Sequence, residues 1–258
     1  MKVLKITHLL LLLISTGLYS FREYANIQLT IFEGTHEQIP QALALIPIDE
    51  KTPLKYNIVT IGDSNASNAD GWVAQLKERM PHSKIVNISQ GGRAIGFDNN
   101  GRKTLNALKN IDTYLDEAQK QIGNGKYDYL IVCLGTNDTK NMFAERQNEI
   151  PDNFRKLLDK IKKHRLSKNS KPRLICVSPP PITRSDTDSK YKGSNERLVL
   201  LFPELQSIAL EKGFTFIDVY HPLLDVFDYY SPDGVHMLGE GQKIISSQIV
   251  NELEKVKE

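Results

Sequence analysis

A serine, an imidazole with a nearby carboxylate, and several neutral hydrogen-bond donors stand in four short polar islands of this sequence. The islands are Gly62-Asp63-Ser64-Asn65, Gly91-Gly92-Arg93, Gly135-Thr136-Asn137-Asp138 and Asp233-Gly234-Val235-His236. A serine hydroxyl is a poor nucleophile until an adjacent base takes its proton. The spacing favours His236 as that base, because Asp233 lies three residues before it. A tight turn there aims the carboxylate at one ring nitrogen and leaves the other for Ser64, as in other Ser-His-Asp arrangements. Donors for a developing oxyanion are the backbone N–H of Ser64, the backbone N–H of Gly92 and the side-chain amide of Asn137. Together these groups make the inventory expected of acyl transfer.

Such residues act only if strands and helices bring them together. The first three islands each follow an apolar, β-branched run, at 58–61, 85–88 and 129–134. Gly, Asp, Ser and Asn at strand exits are turn chemistry, and parallel α/β sheets bind ligands at the carboxyl ends of their strands. Strands are predicted at 56–62, 84–88, 128–134, 173–178 and 214–219. Helical spacing joins Trp72, Val73, Leu76 and Met80, then Leu105 through Leu115, Phe154 through Ile161, Leu198 through Ala209, and Ile244 through Leu253. This alternation predicts an α/β fold with a parallel sheet between helices. The polar, turn-rich stretch 179–193 reads as a surface loop beside the site.

Ser64, Gly92, Asn137 and His236, each in its own block, resemble the four name-giving residues of the SGNH (GDSL-like) hydrolase superfamily. The likeness runs over about residues 56–254. Leu134 to Lys140, Val177 to Pro181 and the Gly92-Arg93 pair are similar to its arylesterase and acyltransferase branch, whose relatives deacetylate sugars. The resemblance implies a flavodoxin-like three-layer α/β/α sandwich with a central parallel sheet of about five strands. It also implies a serine nucleophile and neither cofactor nor metal. Asn65 departs from the usual Leu, which predicts a more polar wall at the site. In the second block Gly91 competes with Gly92, and the spacing from Asn87 favours Gly92. The G-x-S-x-G elbow of α/β-hydrolases is absent, since Ala66 holds the second glycine position.

Any one of these blocks arises easily by chance, and four in order on the right strands do not. Asp63 and Asp138 read as turn-holding residues, and Trp72 and Phe97 as core. His221 is the rival base, with only Asp218 near it in sequence, whereas His82 and His164 read as surface residues. No His-x-x-x-His or Cys-x-x-Cys pair supplies metal ligands. Gly91-Gly92-Arg93 suits an anion but lacks the Gly-Lys-Ser/Thr of a P-loop.

The 258 residues carry a formal charge of +2, with 40% hydrophobic and 25% charged residues. That balance gives no electrostatic footprint for nucleic acid. Lys2 and Lys5 precede the run Leu9 to Ile14, followed by Ser15, Thr16, Gly17 and Ser20. Residues 1–20 therefore read as a signal peptide or N-terminal anchor, residues 21–55 as a lead-in containing a strand at Gln28 to Phe32, and 56–258 as the hydrolase domain. The two cysteines, Cys133 and Cys176, lie in apolar runs and read as small buried hydrophobes. Asn-x-Ser/Thr sequons begin at Asn65, Asn87 and Asn137, and glycans there would obstruct the site. Export to a bacterial periplasm, or secretion, is the expectation.

The expected activity is a serine esterase that removes short acyl groups, acetyl above all, from a small-molecule or carbohydrate acceptor. Polar residues at 65–70, 98–102 and 183–193 are expected to line the cleft and disfavour long acyl tails. Met142-Phe143 stands against this as an apolar pair of unknown placement. The alternatives are a lipid esterase of lysophospholipase or thioesterase type, an acyltransferase, and a sugar-binding protein without turnover.

Overall fold

In chain order the first strand, β1 (Asn57–Gly62), leads into a single helical turn, α1 (Ser64–Ser67), and then α2 (Trp72–Arg79). The computed structural model describes residues 51–183 and 190–255, all within one compact unit, Pro47–Glu258. The signal or anchor, the strand at Gln28 to Phe32 and the middle of the 179–193 stretch lie outside the described residues. After α2 come β2 (Lys84–Asn87), α3 (Ala107–Ile122), β3 (Tyr129–Cys133), α4 (Ile150–Lys163) and α5 (Arg165–Ser170). The chain continues through β4 (Arg173–Val177), α6 (Ser194–Glu211), β5 (Thr215–Ile217), α7 (Tyr220–Leu223), α8 (Phe227–Tyr230) and α9 (Gly239–Glu254).

All five strands pair in parallel, in the order β2-β1-β3-β4-β5. Val59, Ile61, Leu130 and Val132 share one core with Ile111 and Leu115 of α3, Leu157 and Ile161 of α4, and Leu205 and Ile208 of α6. The alternate positions Ile58, Thr60 and Ile131 are just as buried, as expected of a parallel sheet covered on both faces. α2 packs against α9, and α4 lies between α3 and α6. This is the expected α/β architecture, with five parallel strands.

Several boundaries moved for identifiable reasons. α3 starts at Ala107 and not at Leu105, because the Asn106 side chain accepts the Lys109 amide and caps it. β5 ends at Ile217, since Asp218 turns the chain by accepting the amides of Tyr220 and His221. Pro179 to Ile182, expected at the surface, are buried: a Cβ on Gly135 would stand 3.0 Å from the Pro179 ring. His164 is no surface ornament either. Its ring caps α5 by accepting the Leu166 amide and stands 3.3 Å from Asp116. Cys133 and Cys176 are buried and unbridged.

The order places a reversal between β1 and β3: the chain leaves β1 for β2 on one side, then crosses to β3 on the other. In such sheets the crevice beyond the carboxyl ends at that point is where ligands bind. Gly62 of β1 pairs with Cys133 of β3, so Ser64 and Asn137 leave the sheet from adjacent strands. The Gly91-Gly92 loop leaves from β2 beside them.

Candidate active site

Asp63 sets the first island. Its carboxylate accepts the Asn65 amide at 3.0 Å, which caps α1 and leaves Ser64 as the first residue of the turn. Burial pushes the Asp63 carboxyl above its usual range, while the Asn65 amide favours its charge. Among the described residues nothing accepts the Ser64 amide.

The second island is held by side-chain amides. Asn87, at the end of β2, accepts from the Thr60 hydroxyl and the Ser89 amide and donates to the Ala66 carbonyl. Gly92 has φ +81, a region that suits glycine, and a Cβ there would come within 3.2 Å of Asn99 and Leu105. Its carbonyl accepts the Asn99 amide at 2.6 Å, and its own N–H meets no acceptor among the described residues. A Cβ on Gly91 would stand 3.8 Å from that of Ser64. Arg93 offers nothing to an anion at this site. Its guanidinium is buried over the Tyr114 ring, 3.9 Å from the centroid, and donates to the Ile88 carbonyl.

Asn137 sits in a 3₁₀ turn, Thr136–Thr139, directly after β3. Its Nδ2 donates to the Arg93 carbonyl at 3.1 Å, which uses one of its two protons. Its Oδ1 is 3.4 Å from the Asn99 amide and 3.5 Å from the Tyr191 hydroxyl. Asp138 turns the opposite way and accepts the amides of Ile95 and Gly96 at 2.8 and 3.2 Å. It thereby ties the β3 exit to the loop that follows β2.

The fourth island forms a tight turn around Gly234, whose φ is +76. Asp233 Oδ1 accepts the amides of Val235 and His236 at 2.8 and 2.7 Å, and Oδ2 is 2.6 Å from His236 Nδ1. Burial pushes the Asp233 carboxyl up, and the His236 amide, the imidazole and the Val235 amide outweigh it, so the group lies below the usual carboxylate range. His236 Nε2 is 2.9 Å from Ser64 Oγ. A ring whose Nδ1–H donates to Asp233 thus presents a free lone pair to the Ser64 hydroxyl. That arrangement can take a proton from Ser64. The amides of Ser64 and Gly92 and the second Asn137 proton meet no acceptor among the described residues.

Ser64, Asp233 and His236 therefore meet, and Asn99 bonds both the Gly92 carbonyl and Asn137 Oδ1, which ties the second and third islands to each other. His221 does not join them. It has its carboxylate, Asp218 Oδ2 at 2.7 Å from Nδ1, but its ring packs edge-on against Phe202. Asn65 forms no wall of the cleft. It is 1% exposed and hydrogen-bonded to the His236 loop. Trp72 and Phe97 are core, and Phe143 stacks on Phe97 with centroids 4.5 Å apart, leaving Met142 exposed. Asn65 and Asn137 are almost fully buried, and Asn87 is hydrogen-bonded through both its side-chain oxygen and nitrogen.

Sequence reasoning overlooked Asn99, Tyr191 and Gln242. Gln242 carried a signal, being a polar residue on the apolar stripe of α9. Asn99 and Tyr191 carried none, since each lies in an irregular segment and acts on a residue distant in sequence.

The chain matches the GDSL-like Lipase/Acylhydrolase family over residues 59–244, which takes in all four islands. No curated protein matches it in sequence. Among solved structures it is similar to a carbohydrate acetylesterase family member from Sinorhizobium meliloti, at 18% identity and TM-score 0.61, over 78% of this chain and 98% of that one. It is similar also to the native M. smegmatis aryl esterase, at 17% identity and TM-score 0.61, over 78% and 99% of the respective chains. The fold is common to all three, and the family match spans well over half of the residues. The chain therefore belongs to the GDSL-like lipase/acylhydrolase family of the SGNH hydrolase superfamily, as a carboxylic ester hydrolase.

Proposed function

We propose that the protein is a serine esterase that removes short acyl groups, acetyl first among them, from a hydroxylated acceptor such as a carbohydrate. The observation that carries this reading is the continuous line Ser64 Oγ–His236 Nε2 at 2.9 Å and His236 Nδ1–Asp233 Oδ2 at 2.6 Å. In the first step Ser64 Oγ attacks the ester carbonyl while His236 takes its proton, and Asp233 stabilises the imidazolium. The oxyanion is received by the N–H groups of Ser64 and Gly92 and the Asn137 side chain. His236 then returns its proton to the leaving alcohol. Water, deprotonated by His236, attacks the acyl-enzyme, and collapse releases the acid and restores Ser64.

The preference for a short acyl group is supported by the surroundings of Asn137. Asn99 and the Tyr191 hydroxyl flank it, and Phe143, one of the apolar pair Met142-Phe143, is stacked on Phe97. An acyl tail gains about 0.8 kcal/mol per buried CH₂ only where an apolar channel receives it. The carbohydrate acceptor is supported by the carbohydrate acetylesterase that shares the fold. Export is supported by the charged start, apolar run and small-residue exit of residues 1–20.

A panel of p-nitrophenyl esters and acetylated sugars tests this reading. The expected result is kcat/KM falling from acetyl to butyryl and very low at octanoyl. A rise through octanoyl would make a lipid esterase the better description. Failure of an organophosphonate to label Ser64 would leave a sugar-binding protein without turnover.

A further inference from the structure

The buried Asn65 side chain holds both flanks of His236. Its Nδ2 donates to the Val235 carbonyl at 3.1 Å and its Oδ1 accepts the Met237 amide at 3.2 Å. Oδ1 also accepts Gln242 Nε2 at 2.8 Å, while the other end of Gln242 accepts the Trp72 amide at 3.1 Å. Gln242 Nε2 lies 3.2 Å from the Met237 carbonyl as well. Asn65 and Gln242 are at most 1% exposed. Every polar atom of the pair is satisfied, and a satisfied buried network specifies one arrangement. The backbone of Asn65 is itself fixed, through its amide, by Asp63.

The consequence is geometric. Asn65 is the neighbour of Ser64, and Val235 and Met237 are the neighbours of His236, so two adjacent points on one segment are laced to three on another 170 residues away in sequence. The Asp233 turn holds Nδ1 of the ring, but how firmly its Val235-His236-Met237 backbone is held, and where it stands relative to Ser64, rests on the bonds of Asn65. Among the described residues, the bonds of Asn65 are the ones that join the nucleophile segment directly to the backbone on either side of the base.

We propose that Asn65, backed by Gln242, is a positioning residue that sets the distance between His236 and Ser64. The proposal rests on the esterase reading above for its kinetic consequence, and on geometry alone for its structural one. Displacing a catalytic group by about 1 Å costs on the order of 10²-fold in rate.

The test compares N65L and N65A with L253A, a core truncation near the far end of α9 that destabilises without touching the His236 loop. Ala at position 65 leaves a polar space that a water can fill, which preserves folding if Leu does not. Each protein is assayed well below its Tm for kcat, KM and the rate of phosphonate labelling at Ser64. The downfield proton resonance of His236 Nδ1–H is recorded in parallel. The expected result for the Asn65 variants is a kcat and labelling rate lower by roughly 10²-fold, KM little changed, and a broadened or lost Nδ1–H signal. L253A, at an equal loss of Tm, keeps all three near wild type. Activity lost only in step with L253A, or a sharp Nδ1–H signal in N65A, would show that Asn65 serves packing alone. If the wild type neither turns over nor labels, the esterase reading fails, and the resonance still decides whether Asn65 positions the ring.

Discussion

Two turns of this protein carry the same spelling, Asp-x-x-His, and almost the same local structure. In Asp218 to His221 and in Asp233 to His236, one carboxylate oxygen accepts the amides of the second and third residues after it. The other oxygen faces the Nδ1 of the histidine, at 2.7 and 2.6 Å. Both imidazoles are partly open to solvent. What differs is the view from Nε2. His236 looks across 2.9 Å at Ser64 Oγ, whereas His221 packs edge-on against Phe202 and meets no hydroxyl among the described residues. The first turn serves to start a helix: Asp218 satisfies two amides at the head of α7 that have no partner within it. Four residues therefore suffice to orient an imidazole, and the long-range contact with the Ser64 hydroxyl is what sets His236 apart.

The sharpest way to break this contrast is at Ser64 and the two histidines. S64A should lose on the order of 10⁶-fold in kcat with its circular dichroism unchanged, and H236A should lose nearly as much. H221A should keep the wild-type kcat. A tenth of the wild-type activity surviving in S64A would remove the nucleophile assignment, and a collapse in H221A would erase the distinction between the turns.

The carboxylates separate next. D233N should lower kcat by about 10³–10⁴-fold, by weakening the tautomer and the imidazolium it supports. D218N should leave kcat alone. The cost of D218A is structural: loss of a cap of this kind costs about 1 kcal/mol, seen as a Tm lower by roughly 2–4 °C. If D233N were as silent as D218N, some other group must orient His236.

A smaller effect is expected opposite the base. N137A should cost about 10²–10³-fold in kcat with little change in KM, the signature of a donor that acts on the oxyanion. A change confined to KM would move Asn137 into substrate binding.

These contrasts also show where a sequence stops being legible. The five strands and the larger helices could be read because hydrophobic periodicity is local. The four islands could be read because each follows a strand or forms a tight turn around glycine. Asp218-His221 could not be separated from Asp233-His236 by its letters, since the deciding distance spans 172 residues. The same holds for Asn65. As a letter it looked like a polar wall of the cleft, yet its partners at 235, 237 and 242 turn it inward. Pro179 to Ile182 misled in the opposite direction, because prolines that mark loops in sequence can fill a core when a glycine such as Gly135 makes room.

The smallest expected effect concerns a third carboxylate that grips backbone amides, this one without solvent. Asp138 accepts Ile95 and Gly96, and burial pushes its carboxyl up to about 7, aided by the charge of Asp63 and opposed by the two amides. Asp233 is shifted the other way, because bonds to its charged form outweigh its partial burial. The two groups must therefore act on stability with opposite slopes. An unfolded Asp titrates at about 3.9, so between ~4 and ~7 the folded chain holds the Asp138 proton more tightly than the unfolded one. Its contribution is fully present below ~4 and is lost as pH rises through about 7. The contribution of Asp233 is present above the unfolded value and is lost as pH falls through its lower folded one. Tm measured from pH 4 to pH 8 should show the gap between wild type and D138N narrowing as pH rises. The gap between wild type and D233N should stay level over that range and narrow only in measurements extended below about pH 4. A D138N gap that widened with pH would mean that the Ile95 and Gly96 amides overcome burial and keep Asp138 charged, making it a second carboxylate of the Asp233 kind.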